Sequence, residues 1–392
     1  MDQSRRGFLS GLAAFAGVST AAARVEAQRP AANAAPAVPP VPVVTPDLAH
    51  LPFTNENGVK VFRLIAEPVK TEIVPGRALS AWGFNGSVPG PTIEVNEGDR
   101  VRIIVENRLP EVFAPHWHGL EVPIGMDGTP GISQAPIKPG ESFTYEFTLR
   151  QNGTFFYHSH MPMQEMMGMI GMFIVHPAAA HAPRVDRDFA FLLQEWMLQP
   201  YNAVPNTLAM EFNWLTLNGK SGPAATPIVV RQGERVRIRM VNMGMDHHPM
   251  HLHGHQFHVT GTEAGRASQP FTMAQNTVIV GVAQARDIEF VATNLGDWMF
   301  HCHFPHHMMN QMVSMVGPAM VDPAHASATV PGFPQDMWMP MDDLAGEKPE
   351  VLGLPANWTG AMMGMMTLVR VVTPEQWDAI ERRRARMPGG AR

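Results

Sequence analysis

The sequence repeats itself at an interval of 135 residues, and this duplication constrains the fold more than any other feature. The segment PTIEVNEGDRVRIIVEN at 91–107 is followed by HWHG at 116–119. In the second half, TPIVVRQGERVRIRMVN at 226–242 is followed by HLHG at 251–254. Internal similarity at a fixed spacing indicates a duplicated structural unit. We therefore expect two copies of one domain.

Both halves have the residue pattern of β-strands. Segments 101–105, 143–149 and 236–241 alternate or concentrate β-branched and aromatic residues, and Gly, Pro and Asn separate such segments at short intervals. This pattern predicts an all-β fold with one β-sandwich in each half. The expected domains are 47–180 and 181–325.

The N-terminal region has the composition of a targeting segment. Arg5 and Arg6 precede a short apolar run and small residues suited to cleavage, and the run is too short to span a bilayer. The string S-R-R-x-F-L resembles a twin-arginine signal. Residues 1–28 are therefore predicted to direct export to the periplasm or the exterior. Residues 29–46 follow as a Pro- and Ala-rich linker, which we expect to be extended.

Residues 326–392 are predicted to form a methionine-rich C-terminal extension. MMGMM at 362–366 leads into the apolar run TLVRVV. The methionine cluster 362–366 fits either a lid over a site or a buried strand. Thr373, Pro374 and Gln376 then have the spacing of a capped helix start, so a short terminal helix is expected.

The composition narrows the range of partners. The single cysteine excludes an intramolecular disulfide, and a net charge of −6 with 16% charged residues gives no basic surface for nucleic acid or an anionic membrane. The chain contains 18 His and 29 Met, and imidazole and thioether are both copper ligands. Small molecules, metals and protein partners remain.

Histidines occur as four H-x-H triplets. Because successive side chains on a strand point to opposite faces, both imidazoles of each triplet lie on one side. Eight imidazoles that can converge are a donor set for a cluster of several metal ions. The residues concerned are His116, His118, His158, His160, His251, His253, His301 and His303.

Cys302 lies between two of these histidines, so it should point away from them. His307 and Met312 follow it at five and ten residues, and His248 precedes a proline that keeps it extended. Two imidazoles, a thiolate and a weak axial thioether form a blue-copper electron-transfer site. The spacing thus predicts a mononuclear site on the other face of the same strand.

The motifs HWHG, YHSH, HPMHLHGH and HCHFPHHMMNQM resemble the four copper motifs of the multicopper oxidases, the family that includes laccases. Only 87 residues separate His160 from His248, which leaves no room for a third sandwich of about 100 residues. The chain therefore resembles the two-domain, small-laccase branch. This resemblance implies two cupredoxin-like Greek-key domains and four copper ions, as one mononuclear blue copper and one trinuclear cluster.

The resemblance also implies a role for each ligand. His248, Cys302, His307 and Met312 would hold the mononuclear copper, and His116 and His251 a type 2 copper. The binuclear pair would be held by His118, His158, His160, His253, His301 and His303. Asp127 would be an acidic proton-relay residue, although an aspartate followed by glycine is also a common turn former.

Each half supplies four cluster histidines, and no middle domain holds the halves together around one cluster. Head-to-tail contact between neighbouring subunits would complete the cluster, and such a contact closes into a ring. We expect a homotrimer with its clusters at the subunit interfaces.

The expected activity is oxidation of a donor, one electron at a time, with four-electron reduction of O2 to water. Phenolic compounds and cuprous ion are both candidate donors, because methionines surround the ligands and thioethers bind Cu(I). One alternative is a periplasmic copper-binding or copper-tolerance protein, with or without cuprous oxidase activity. A copper nitrite reductase would need its cysteine in the first half, where Ser159 stands instead.

Overall fold

The computed structural model describes residues 39–161, 163–179, 181–199, 201–268, 273–309 and 340–387. These residues all belong to one unit of the chain, 38–392. The predicted export signal and the predicted axial ligand Met312 lie outside the described residues.

The described residues contain 21 strands. The strands up to residue 176 are β1 (Val43–Val44), β2 (Phe53–Glu56), β3 (Val59–Val74), β4 (Arg77–Phe84), β5 (Gly90–Asn96), β6 (Arg100–Asn107), β7 (Pro115–His118), β8 (Ser142–Thr148), β9 (Gly153–Ser159) and β10 (Ile170–His176). The later strands are β11 (Arg187–Trp196), β12 (Trp214–Leu217), β13 (Ile228–Arg231), β14 (Arg235–Asn242), β15 (His248–Leu252), β16 (His258–Thr262), β17 (Gly265–Arg266), β18 (Thr277–Val280), β19 (Gln284–Val291), β20 (Gly296–Cys302) and β21 (Met366–Val372).

Helices are few and short. The α-helices among the described residues are α1 (Asp342–Ala345) and α2 (Pro374–Arg386), and the 3-10 turns are Ile124–Met126, Pro305–Met308, Pro349–Val351 and Trp358–Ala361. Helix α2 begins with the predicted capping box, in which Thr373 and Gln376 each accept the other's backbone N–H. None of the helices described is long and apolar enough to cross a membrane.

Each half forms two sheets, which confirms the predicted all-β fold. In the first half, β2-β3-β6-β8 with β4 on β3 forms one sheet and β5-β10-β9-β7 the other. In the second half, the sheets are β1-β11-β14-β19-β16-β17, with β12 on β11, and β13-β21-β20-β15-β18. Apolar side chains that alternate with polar ones form a separate core in each half, as in β6, where every second residue is buried.

The sequence duplication is repeated in the sheet order. Strands β5-β10-β9-β7 correspond to β13-β21-β20-β15, and the parallel and antiparallel pairings also correspond. Strand β21 therefore occupies the place of β10, although it lies in the predicted C-terminal extension. Of the methionines at 362–366, for which a lid or a buried strand was predicted, only Met366 lies in the buried strand β21. We propose that the second domain, expected at 181–325, is completed by this later strand.

A buried polar network joins the two halves. Arg239 on β14 donates to Asp188 at 2.8 Å and to the Thr154 hydroxyl on β9 at 2.7 Å. Thr154 in turn donates to Asp287 on β19 at 2.6 Å. Because each charge has a partner of opposite sign, the network can be buried without leaving an unpaired ion.

Candidate metal centres

Three donor atoms meet inside the second sandwich. His248 Nδ1 lies 3.2 Å from His307 Nδ1 and 3.7 Å from Cys302 Sγ, and His307 Nδ1 lies 3.5 Å from the same sulfur. All three residues are buried. A point equidistant from these atoms is about 2.0 Å from each, which is the length of a bond between a transition metal and imidazole. The structure thus brings together three of the four predicted mononuclear ligands, and a trigonal set of two imidazoles and a thiolate is typical of blue copper.

Strand pairing explains why the sulfur and the flanking imidazoles diverge. Across β15 and β20, Met250 faces Cys302 while His251 faces His301. Cys302 belongs to the core of the second half. His301 and His303 contact the ring of His251 on the opposite face. The predicted division of the H-C-H tripeptide between two sides of one strand is confirmed.

The tail segment holds His307 in place. The backbone oxygen of His307 accepts a hydrogen bond from the Met365 N–H at 2.9 Å. Gly364 has φ +69°, and a Cβ at this position would lie 2.1 Å from the same oxygen. Only glycine allows both the left-handed backbone and this close approach. The residues just before β21 therefore support the mononuclear site directly.

Burial keeps these donors electrically neutral in the metal-free protein. It lowers the pKa of His248 to about 3 and, together with His306, that of His307 to about 4. Burial also raises the pKa of the Cys302 thiol to about 12. Neutral imidazoles are ready ligands, whereas the thiol must lose its proton when a metal binds.

Two carboxylates lie next to the imidazoles of this site. Glu195 Oε2 is 3.7 Å from His248 Nε2, and Asp246 Oδ2 is 3.6 Å from His307 Nε2. Glu195 is fully buried, and burial followed by the charge of Asp246 raises its pKa to about 7. The side chain of Asp246 is 43% exposed, so it lies on the solvent side of His307.

Neither Glu195 nor Asp246 was predicted as a site residue from the sequence. Glu195 lies in the apolar strand β11, far from the histidine motifs, and has no local signal. Asp246 stands two residues before His248, and that proximity could have identified it.

The first-half histidines form a set on β7 and β9. His118 Nδ1 lies 3.3 Å from His158 Nε2, and the rings of His116 and His160 are 5.5 Å apart. His116 Nδ1 donates to the Asp127 carbonyl at 2.8 Å, and His158 Nδ1 lies 2.9 Å from the Ser159 carbonyl and 2.8 Å from Glu165. Because Nδ1 carries the proton in these two rings, Nε2 is left as the ligand atom.

The second-half histidines form a matching set on β15 and β20. His253 Nε2 lies 3.1 Å from His301 Nε2, and His303 contacts the ring of His251. The Nδ1 atoms of His251 and His301 donate to the carbonyls of Asn276 and Cys302 at 2.7 and 2.8 Å. The two sets therefore have the same hydrogen-bonding pattern.

Within the chain the two sets stay apart. None of the metal-binding groups found in the described part of the chain combines histidines from both halves. His160 and His303 are exposed. A cavity of about 820 Å³ opens beside His251 and His253. Each set is thus half of the predicted donor cluster.

Asp127 lies beside the first-half set. Its carboxylate is 3.5 Å from His116 Nδ1 and accepts a hydrogen bond from the Thr129 hydroxyl. Gly128 follows it with φ +84°, so this segment is also a turn. Both interpretations of the DG pair therefore fit the structure.

The first half has no equivalent of the mononuclear site at Ser159. The Ser159 hydroxyl donates to Gln164 at 2.6 Å, and Gln164 donates to the Val112 carbonyl at 3.0 Å. A buried hydrogen-bonded pair thus occupies the place that the thiolate has in the second half.

The methionines divide between packing and the site. Met166 and Met169 are buried in the two cores. A second group, which we call the thioether cluster, packs with Leu354, Trp358 and Leu368 and consists of Met299, Met308, Met362 and Met366. Met308 directly follows His307, so this cluster adjoins the mononuclear site.

Comparison with known proteins gives consistent matches. Two sequence profiles described as multicopper oxidase match residues 67–180 and 198–318. Copper resistance protein A of Pseudomonas syringae pv. tomato is 34% identical over 148 residues, which cover 38% of this chain and 24% of that protein. Laccase-2 of Botryotinia fuckeliana is 31% identical over 246 residues, covering 57% and 41%. The chain spans about a quarter of the length of the copper resistance proteins that it matches.

Solved structures have the same architecture. The blue copper oxidase from Nitrosomonas europaea matches with a TM-score of 0.62 at 27% identity, over 79% of this chain and 85% of that one. The multicopper oxidase mgLAC matches with a TM-score of 0.59 at 32% identity, over 64% and 82%. The cupredoxin fold of both halves is thereby established.

Proposed function

The chain belongs to the multicopper oxidase family, whose metal is copper, and on this premise we propose that it couples one-electron oxidation of a reducing substrate to the four-electron reduction of O2 to water. The observation that carries this proposal is the buried triangle of His248, Cys302 and His307, with donor atoms 3.2 to 3.7 Å apart. Copper, when bound, supplies the one-electron redox chemistry and the reduction of dioxygen.

The mononuclear centre would use these three donors with Met312 as the fourth ligand. The trinuclear centre would use the eight histidines of the two sets, with His116 and His251 on the type 2 copper. His301 and His303 are bonded through the backbone to Cys302, so a covalent connection joins the ligands of both centres. This backbone connection would offer a short through-bond path for single-electron transfer between the two centres.

We propose that the trinuclear centre forms between subunits of a homotrimer. No donor group in the part of the chain that the structure describes combines the two half-sets, and each half-set has a solvent-exposed histidine. Exposed apolar side chains lie near both. Ile124 and Ile132 are on the loop that carries Asp127, and Ile279 is on β18, which pairs with β15. A head-to-tail contact would bury these apolar side chains and complete the donor set.

Asp127 is proposed as the proton-relay residue of the oxygen-reducing centre. Its carboxylate lies near the ring of His116 and is partly exposed. Reduction of dioxygen to water consumes protons, and a group in this position can pass protons from solvent to the cluster.

The substrate is proposed to be a phenolic compound or cuprous ion. The thioether cluster supports cuprous ion as one of these two substrates. Thioethers are soft ligands that bind Cu(I). Copper resistance protein A is among the relatives, which agrees with a role in copper tolerance. A nitrite reductase is disfavoured because Ser159 is hydrogen-bonded to Gln164 where that class would have its cysteine. We also propose that the protein is exported to the periplasm or the exterior by its twin-arginine signal.

Oxygen uptake by the copper-loaded protein tests the activity. We expect uptake with dimethoxyphenol or Cu(I), an absorption band at about 600 nm, and loss of both in Cys302→Ser. Uptake by Cys302→Ser at the wild-type rate would refute the proposal.

The donor is tested at the thioether cluster. Met308→Leu conserves volume but removes a thioether, and Met169→Leu in the first-half core is the matched control. A selective loss of the Cu(I) rate in Met308→Leu supports a cuprous substrate. Equal Cu(I) oxidation rates in both variants and wild type would show that Met308 does not contribute to Cu(I) oxidation.

A further inference from the structure

Two buried polar atoms face each other behind the mononuclear site. Glu195 on β11 and His248 on β15 are fully buried, and Glu195 Oε2 lies 3.7 Å from His248 Nε2. Among the residues that the structure describes, neither atom has a hydrogen-bond partner. A buried polar atom without a hydrogen-bond partner is energetically unfavourable. Two such atoms placed side by side therefore call for an explanation.

The other polar atoms of both side chains are already engaged. Glu195 Oε1 accepts hydrogen bonds from the backbone N–H groups of Met245 and Asp246, the latter at 2.8 Å. His248 Nδ1 points at the donor triangle. Because a metal at the triangle takes the lone pair of Nδ1, the ring proton must then be on Nε2. Nε2 becomes a donor, and Glu195 Oε2 is the acceptor that faces it.

We propose that Glu195 is a positioning residue for the mononuclear copper, whose Oε2 accepts the Nε2–H of His248 when copper is bound at Nδ1. A movement of about 0.8 Å closes the present distance to that of an ordinary hydrogen bond. The hydrogen bond fixes the tautomer and the orientation of the ring and increases its strength as a ligand. The inference rests on the proposed copper site.

The position of Glu195 also has an electrostatic consequence. A carboxylate in a buried, low-dielectric position stabilises Cu(II) more than Cu(I), because the oxidised centre carries one more positive charge. Loss of the carboxylate should therefore raise the reduction potential. Asp246 differs in this respect, since its exposed carboxylate is screened by solvent.

Glu195→Gln tests the proposal. The amide keeps an oxygen for the two backbone N–H groups but directs an N–H donor at His248 Nε2. We expect Cu(II) affinity at the mononuclear site to fall by about 10- to 100-fold and the reduction potential to rise. Affinity is measured by chelator competition, followed by the absorption at about 600 nm, and the reduction potential is measured by redox titration.

Glu234→Gln is the matched control. Glu234 is also buried and lies in the same half, but it is paired with Arg187 and Arg231. We expect its Cu(II) affinity and reduction potential to equal those of wild type. A similar loss in both variants would refute a specific role for Glu195.

The outcomes separate the two proposals. Wild-type protein that takes up copper without the blue absorption band refutes the copper site itself. Wild type with the band, and Glu195→Gln with the same affinity and potential as wild type, refutes only the positioning role. If metal-free Glu195→Gln does not fold, proton–nitrogen NMR of Cu(I)-loaded wild type decides. A downfield, exchange-protected Nε2 proton on His248 supports the hydrogen bond, and its absence refutes it.

Discussion

A mixing experiment tests whether the proposed trinuclear centre forms between subunits. His118→Ala removes a ligand from the first-half set, and His253→Ala removes one from the second-half set. In a uniform assembly of either variant, every cluster is damaged, so neither should take up oxygen. Both should keep the blue absorption, because His248, Cys302 and His307 are unchanged.

The expected recovery follows from the geometry of a ring. In the proposed ring, each interface would combine the first-half set of one subunit with the second-half set of the next. A mixed trimer contains two subunits of one variant and one of the other. Whichever variant is in excess, one of the three interfaces joins two intact sets. Mixed trimers should therefore recover about one third of wild-type activity.

The assay uses different affinity tags on the two variants. Co-expression and sequential purification on both tags retain only mixed assemblies, and oxygen uptake is expressed per mononuclear copper. Recovery of about one half would indicate a ring of two subunits. Background activity in assemblies shown to contain both variants would refute an inter-subunit cluster, because a cluster within one chain gains nothing from mixing.

Three other outcomes are expected. Gly364→Ala should lose the blue absorption and about 1–3 kcal/mol of unfolding free energy in denaturant titration, because its Cβ would meet the His307 carbonyl. The control Gly353→Ala, where a Cβ meets no atom, should keep the band. An unchanged band in Gly364→Ala would contradict the prediction. Ending the chain at residue 340 removes β21 and should leave protein without native circular dichroism, whereas a soluble chain with a native spectrum would show that β21 is dispensable. Burial tends to raise the pKa of Glu289, but Arg237 and Arg266 together hold it below its ordinary 4.5. The unfolding free energy of metal-free protein should therefore fall as the pH drops below 4.5, and Glu289→Gln should weaken that dependence; an equal slope in both proteins would contradict it.

The histidine positions could be predicted because they follow from local geometry. Alternation along a strand places His301 and His303 on one face and Cys302 on the other, whatever the rest of the chain does. Duplication then gave the same arrangement for the first half. Met312 remains a prediction, as do the number of copper ions and the assembly.

The segment that supplies the last strand of the second half could not be predicted from the alternation of apolar and polar residues. Strand β21 begins 64 residues after Cys302, and nothing in its own pattern states which sheet it joins. One signal was present, since MMGM at 362–365 repeats MMGM at 166–169, just before β10. Glu195 had no such signal, because its role depends on a partner on another strand.

The separation of Cys302 and β21 along the sequence links the mononuclear site to completion of the fold. Gly364 and Met365 shape the turn that carries His307, and they follow Cys302 by 62 and 63 residues. Until β21 has joined its sheet, the pocket lacks this support for His307. Docking of β21 and formation of the pocket are therefore coupled steps of folding, so a partly folded chain without β21 should bind copper less tightly.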